Sequence, residues 1–217
     1  MIKGVLFDLD GTLADTAPDL AYALNETLKH YDKEPLPFTT IRPVVSHGGR
    51  PLIELGFDIG PDDDAYEAIR QRLLDVYLHN IATHTTLFPG MAELLEELES
   101  NNLLWGVVTN KPGWLTNPLM EALQLSHRAA CIVSGDTTEH SKPHPEPLFY
   151  GCQQAQLLPS ECIYVGDAER DIAAGKAAGM KTIAALFGYI QTHDVPEQWA
   201  ADFYVNHPSE ILPLLFP

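Results

Sequence analysis

Basic residues are scarce in this chain: 13 Lys and Arg stand against 30 Asp and Glu, a formal charge of -17 with histidine neutral. Nucleic-acid binding needs a basic footprint that displaces counterions, so the deficit argues against that partner class. It disfavours an anionic membrane surface for the same reason. Long hydrophobic runs are missing too, and nothing approaches the ~20 apolar residues of a membrane span. The apolar run at 2–7 is short and is broken by Asp8 and Asp10, which does not fit a signal peptide. Cysteine is sparse: Cys131, Cys152 and Cys162 are an odd number, without C-x-x-C or zinc spacing. They read as reduced, mostly buried thiols. Together these absences predict a soluble, cytoplasmic protein without a nucleic-acid or membrane partner.

What is present suits an ordinary globular chain, with 45% apolar and 20% charged residues. Its 217 residues suffice for one sizeable domain, or for a core plus a small accessory unit. Continuous apolar runs at 2–7, 103–109, 130–134, 162–165 and 182–186, with a weaker one at 202–205, suit strands buried on both faces of a parallel sheet. Helical spacing at 91–98, 115–123, 147–157 and 171–178 alternates with them, which predicts an α/β, doubly wound Rossmann-like fold. Residues 15–87 are far more than one crossover needs. Leu20, Ala23, Leu24 and Leu28, then Tyr66, Ile69, Leu73, Val76 and Tyr77, keep helical spacing within that stretch. It is expected to be an inserted α-helical cap, with 1–14 and 88–217 forming the core.

The first run ends in Phe7-Asp8-Leu9-Asp10-Gly11-Thr12. Ligand sites of open α/β sheets form beyond the carboxyl ends of the strands, so two carboxylates leaving a strand into a glycine turn can aim at one small volume. The plainer reading is an Asp-Gly turn. A second acidic group, Gly166-Asp167-Ala168-Glu169-Arg170-Asp171, follows the run Ile163-Tyr164-Val165. Acidic residues also favour helix N-termini, which is the competing account of it. Converging carboxylates need a cation, and oxygen-only ligands suit Mg²⁺. Thr109 and Asn110 end the second run, and Lys142 stands just before the helix expected from Pro147.

These motifs resemble the haloacid dehalogenase superfamily, in its phosphoglycolate-phosphatase-like branch with an inserted helical cap. The four motifs of that family correspond to Asp8 through Thr12, Thr109, Lys142, and Gly166-Asp167 through Asp171, in the same order over nearly the whole chain. Within the branch, residues 103–112 and Gly188-Tyr189-Ile190 are similar to the N-acetylmuramic acid 6-phosphate phosphatases of peptidoglycan recycling. Ala168 departs from the pattern, since many relatives carry a hydroxyl residue there.

The resemblance implies a Mg²⁺-dependent phosphomonoesterase acting on a small phosphorylated metabolite, a sugar phosphate or phosphoglycolate, as a monomer or homodimer. Asp8 would be the nucleophile and Asp10 the general acid and base. Asp8, the backbone carbonyl of Asp10 and Asp167 would hold the metal, with Asp171 orienting a metal-bound water or Lys142. Thr109, Asn110 and Lys142 would bind the phosphate. In the cap, Ser46-His47-Gly48-Gly49-Arg50 is a glycine-rich break whose His47 and Arg50 are candidates for substrate contact, or else cap helices or face solvent. Lys111 either reaches the pocket or is solvated. Asp15 and Thr16 are expected to cap the first cap helix, His79 and His84 to lie on a helix surface, and Trp105 to pack in the core. A phosphomutase would share every core residue. A receiver-type phospho-acceptor module is remoter, because receivers need only about half this length and carry the acceptor after a central strand.

Overall fold

The computed structural model describes residues 1–216, apart from the side chain of His47. The chain runs β1 (Gly4–Phe7), β2 (Ala14–Asp15), α1 (Ala17–His30), α2 (Phe38–Ile41), α3 (Gly49–Phe57), α4 (Tyr66–His79), β3 (Thr86–Leu87), α5 (Met91–Ser100) and β4 (Leu104–Val108). It continues through α6 (Gly113–Ala122), β5 (Ile132–Val133), α7 (Glu146–Ala155), β6 (Cys162–Gly166), α8 (Glu169–Ala177), β7 (Lys181–Ala185), β8 (Phe203–Val205) and α9 (Ile211–Leu215).

Six strands form one sheet in the order β5-β4-β1-β6-β7-β8, and every neighbouring pair is parallel. All four residues of β1 are buried, as a central strand covered by helices on both faces requires. The six apolar runs therefore become the six strands, and the α/β expectation holds. The register sets Phe7 opposite Val107 on one side and Val165 on the other. Asp8, Thr109 and Asp167 consequently leave the sheet along one edge. The order also reverses at β1, and such switch points open a crevice for ligands.

Between β2 and β3 the described elements are helical: α1 to α4 and a short 3-10 turn, Arg42–His47. Pro18 sits in the first turn of α1, where a missing N–H costs nothing. Leu20, Ala23, Leu24 and Leu28 form its buried face. Leu24 is fully buried, so Leu24→Ala would cost about 2–5 kcal/mol. β2 and β3 pair antiparallel, Ala14 with Leu87 and Asp15 with Thr86, where the chain leaves and returns. Asp19, on the inner face of α1, accepts from the backbone N–H of His84 and Thr85 and from the Thr85 hydroxyl, at 2.8–3.0 Å. It ties the returning strand to the first helix.

Three expectations are corrected. Neither Asp15 nor Thr16 caps α1 with its side chain; the Thr16 hydroxyl donates to Asp10 Oδ1 at 2.6 Å, and Asp15 pairs with Arg42 at 2.6 Å. The Ala17 N–H donates instead to the Tyr189 hydroxyl at 2.9 Å. His84 lies off the helix, in the segment leading to β3, whereas His79 is on the last turn of α4. Trp105 is buried, with its indole N–H donating to Glu99 Oε1 at 2.8 Å. The three cysteines are buried and free. Among the described residues no helix is long and apolar enough to cross a membrane.

Candidate active site

Asp8 follows the last residue of β1 and is almost fully buried. Its Oδ1 accepts from the Leu9 N–H at 2.8 Å and lies 2.9 Å from Lys142 Nζ. Burial alone would push this carboxyl up, but the Lys142 and Arg170 charges more than reverse the effect and hold it below the usual carboxylate range. Asp8 is thus an ionised carboxylate facing a cavity of about 330 Å³ that Asp10, Thr109, Lys111 and Arg170 also line.

Lys142 comes from the loop after β5. Its ammonium sits between Asp8 Oδ1 at 2.9 Å, Asp171 Oδ1 at 2.8 Å, the Tyr164 hydroxyl at 2.7 Å and the Val108 carbonyl at 3.0 Å. Burial pushes the Tyr164 phenol well up, so it stays neutral and donates to Val108 O. Asn110 fixes the loop itself. Its carboxamide donates to Lys142 O and accepts from the Lys142 N–H, both at 2.9 Å. Asn110 thereby positions Lys142, and since its carboxamide nitrogen carries a second N–H, the residue, which also lines the cavity, keeps a donor for an anion there. The Thr109 hydroxyl accepts from the Lys111 N–H at 3.2 Å, which leaves its own proton to donate into the cavity.

Asp10 points toward the cap side. Its Oδ1 receives Thr16 Oγ1 at 2.6 Å and Lys111 Nζ at 2.9 Å. Lys111 also donates to the Tyr77 hydroxyl at 2.8 Å, its side chain being only 7% exposed. Of the two readings of Lys111, the pocket reading is the one the structure supports. Gly11 turns the chain with φ +87°, and a Cβ there would collide with Asp167. The glycine lets two acidic strand ends approach.

Asp167 accepts from Thr12 Oγ1 at 3.2 Å, Ser46 Oγ at 3.4 Å and the Tyr189 N–H at 3.0 Å. Burial, with the Asp8 and Asp171 charges, pushes its carboxyl up to about 7. Asp171 accepts from the Ala168 N–H at 3.1 Å and is raised too, by burial above all. Asp8, Asp167 and Asp171 offer oxygens that lie within 4.8 Å of one another, all buried. Three crowded carboxylates with one ammonium among them form a donor set that fits a hard divalent cation. The Asp10 side chain stands apart from this group, turned to Thr16 and Lys111, which is compatible with a ligand role only for its backbone carbonyl.

Sequence reading missed three contributors. Arg170 lies beside the Asp8 carboxylate at 4.0 Å and donates to Ser46 O at 2.7 Å and Ser46 Oγ at 3.0 Å. Ser46 and Tyr77 carry the helical segment onto the core. The available signal was position alone: Arg170 sits within the second acidic motif, and Ser46 next to His47. The His47 side chain lies outside the described residues. Arg50 lines the cavity while paired with Glu54 at 2.7 Å.

The family model described as "Haloacid dehalogenase-like hydrolase" matches residues 5–185. The chain is 43% identical over 210 residues to an N-acetylmuramic acid 6-phosphate phosphatase of Pseudomonas putida, covering 97% of this chain and 94% of that one. It is 39% identical over 209 residues to a phosphoglycolate phosphatase of Xanthomonas campestris, covering 96% and 94%. Among solved structures, a predicted phosphoglycolate phosphatase from Haemophilus somnus superposes with a TM-score of 0.87 at 27% identity, covering 98% of this chain and 97% of that one.

Proposed function

The chain belongs to the haloacid dehalogenase-like hydrolase family, and we propose that it is a Mg²⁺-dependent phosphomonoesterase working through an aspartyl-phosphate on Asp8. One observation carries this reading: a buried carboxylate, kept ionised by Lys142, opens onto a cavity whose other near groups are an acid and several donors. The names of the relatives at 43% and 39% identity support an ester of N-acetylmuramic acid 6-phosphate or phosphoglycolate type. Three buried free thiols suit a reducing, cytoplasmic setting.

Asp8 attacks phosphorus, forming the acyl-phosphate bond as the ester P–O bond breaks. Asp10 gives its proton to the leaving alcohol oxygen, and Thr16 and Lys111 fix the orientation of that carboxyl. A water then loses a proton to Asp10 and attacks the same phosphorus, releasing phosphate and restoring Asp8. Arg170, the Thr109 hydroxyl and the Lys142 charge oppose the negative charge of the transferring group, which is where catalysis of phosphoryl transfer resides. Asp8, Asp167 and the Asp10 carbonyl would hold Mg²⁺, with Asp171 beside them. Bound there, the ion neutralises phosphoryl oxygens and crowded carboxylates alike.

The test is inorganic phosphate release from a panel of monoesters, with Mg²⁺ or EDTA. Turnover that needs Mg²⁺ and disappears in Asp8→Asn is the expected result. Phosphoryl transfer between sugar positions without phosphate release would replace the hydrolase with a mutase.

A further inference from the structure

The cavity that Asp8 faces carries charge of the opposite sign to the protein as a whole. The chain has 30 acidic and 13 basic residues, yet the cavity lining holds four cations, Arg50, Arg70, Lys111 and Arg170, against two acids, Asp8 and Asp10. Both acids come from the sheet edge. So do two of the cations: Arg170 lies 4.0 Å from Asp8, and Lys111 2.9 Å from Asp10. With Lys142 behind Asp8, these already serve the phosphoryl group. Arg50 and Arg70 are different. They arise on α3 and α4, from the helical segment, which contributes no carboxylate to the lining.

Neither guanidinium is committed elsewhere by a strong bond. Arg50 pairs with Glu54 at 2.7 Å and Arg70 with Glu67 at 2.9 Å, each within its own helix. These side chains are 64% and 41% exposed, and ion pairs so wet contribute little. An anion entering the cavity can therefore take over either fork, and a planar carboxylate fits guanidinium geometry bidentately. Leu74 and Tyr66, also on the helical side, give this region apolar walls. A cavity of about 330 Å³ is at the scale of sites that enclose a sugar-sized ligand. A two-carbon phosphoacid would leave much of it empty.

We propose that Arg50 and Arg70 form a carboxylate subsite at the helical end of the cavity, selecting a sugar-sized phosphomonoester whose carboxylate lies remote from its phosphate. This rests on the phosphatase reading of the same site and adds to it the recognition element. Arg70 is the new member, since only tertiary packing brings α4 beside α3.

The experiment compares two esters that differ in one group. N-acetylmuramic acid 6-phosphate carries a lactyl carboxylate that N-acetylglucosamine 6-phosphate lacks. Binding of both is measured by calorimetry to Asp8→Asn protein with Mg²⁺ present, so that no turnover is needed. The carboxylate-bearing ester should bind at least tenfold tighter. That preference should fall to about twofold or less when Arg50→Gln and Arg70→Gln are added, while circular dichroism reports an intact fold. Equal affinity for the two esters would overturn the subsite, as would a preference that survives both substitutions. A wild-type enzyme that binds with this preference yet releases no phosphate would sink the phosphatase reading alone. If the double variant unfolds, Arg50→Lys and Arg70→Lys take its place, which keep the charge and lose the fork; an undiminished preference in them counts against the proposal.

Discussion

At the sheet end of the cavity, Lys142 holds its ammonium within 3.0 Å of four oxygens, and its side chain is fully buried. At the helical end, Arg50 and Arg70 each hold one carboxylate and keep much of their surface in water. The two ends share a cavity but not a construction. Asp8, Thr109 and Asp167, to which we assign the phosphoryl chemistry, leave strands of a parallel sheet whose register fixes them relative to one another, and Asn110 ties the Lys142 loop to that edge. The cations proposed to face the rest of the substrate come from helix surfaces, with Gly48 between the 3-10 turn and α3 and Gly49 opening that helix. Rigid placement suits charge stabilisation in a transition state, and loosely held side chains suit recognition that differs between relatives.

Substitutions at the two ends should therefore differ in size and in kind. The largest effect is expected from Asp8→Asn, a loss of turnover on the order of 10⁵-fold or more, as for removal of other covalent nucleophiles. Single-turnover phosphate release measures it; residual activity above about one per cent would make Asp8 an accessory group. Next, Lys142→Met leaves Asp8 and Asp171 buried without their cation, at about 3–5 kcal/mol of stability. Chemical denaturation with EDTA present reads this directly, and an unchanged midpoint would mean that the buried network is dispensable.

A third difference concerns metal. Mg²⁺ at about a hundred times its Kd should stabilise the wild type by about 2.7 kcal/mol. Asp167→Asn should remove that gain, while the metal-free variant is at least as stable as the wild type, because one crowded charge is gone. Thermal shifts that respond equally to Mg²⁺ in both proteins would move the metal away from Asp167. The smallest effect belongs to the helical side. Ser46→Ala removes a hydroxyl that accepts from Arg170 and donates to Asp167, worth about 1 kcal/mol or a factor of about five in kcat/KM. If steady-state kinetics gave a loss as large as that of Asp8→Asn, the contrast between the two ends would collapse.

The sequence made the sheet end readable because its signals are local. Apolar runs mark the strands, acidic pairs and a threonine follow them at once, and a lysine stands in the loop just before the next helix. The helical end resisted for the opposite reason. Helical spacing located α1 and α4, but nothing along the chain says that Tyr77 meets Lys111, that Ser46 meets Arg170, or that Arg70 joins Arg50. The same limit applies to Asp15 and Thr16, whose position at a helix start suggests capping. Arg42 and Asp10, distant or on the other side of a turn, bind them instead. Asn110 shows a subtler case: the residue was found, but its partner, the backbone of Lys142, lies 32 positions away.

The paired β2 and β3 bear on how such a molecule can change over time. Because Ala14 opposes Leu87 and Asp15 opposes Thr86, everything between them is, for the sheet, a loop closed at its base. Closing a flexible loop costs only about 0.6 kcal/mol more for each doubling of its length. Insertions, deletions or a wholesale exchange of helices between those two points would leave the strand register untouched. The ladder thus acts as a graft junction: across it selectivity can drift while Asp8, Thr109 and Asp167 stay where the strand register puts them, provided the incoming segment again supplies partners such as Thr16 and Ser46.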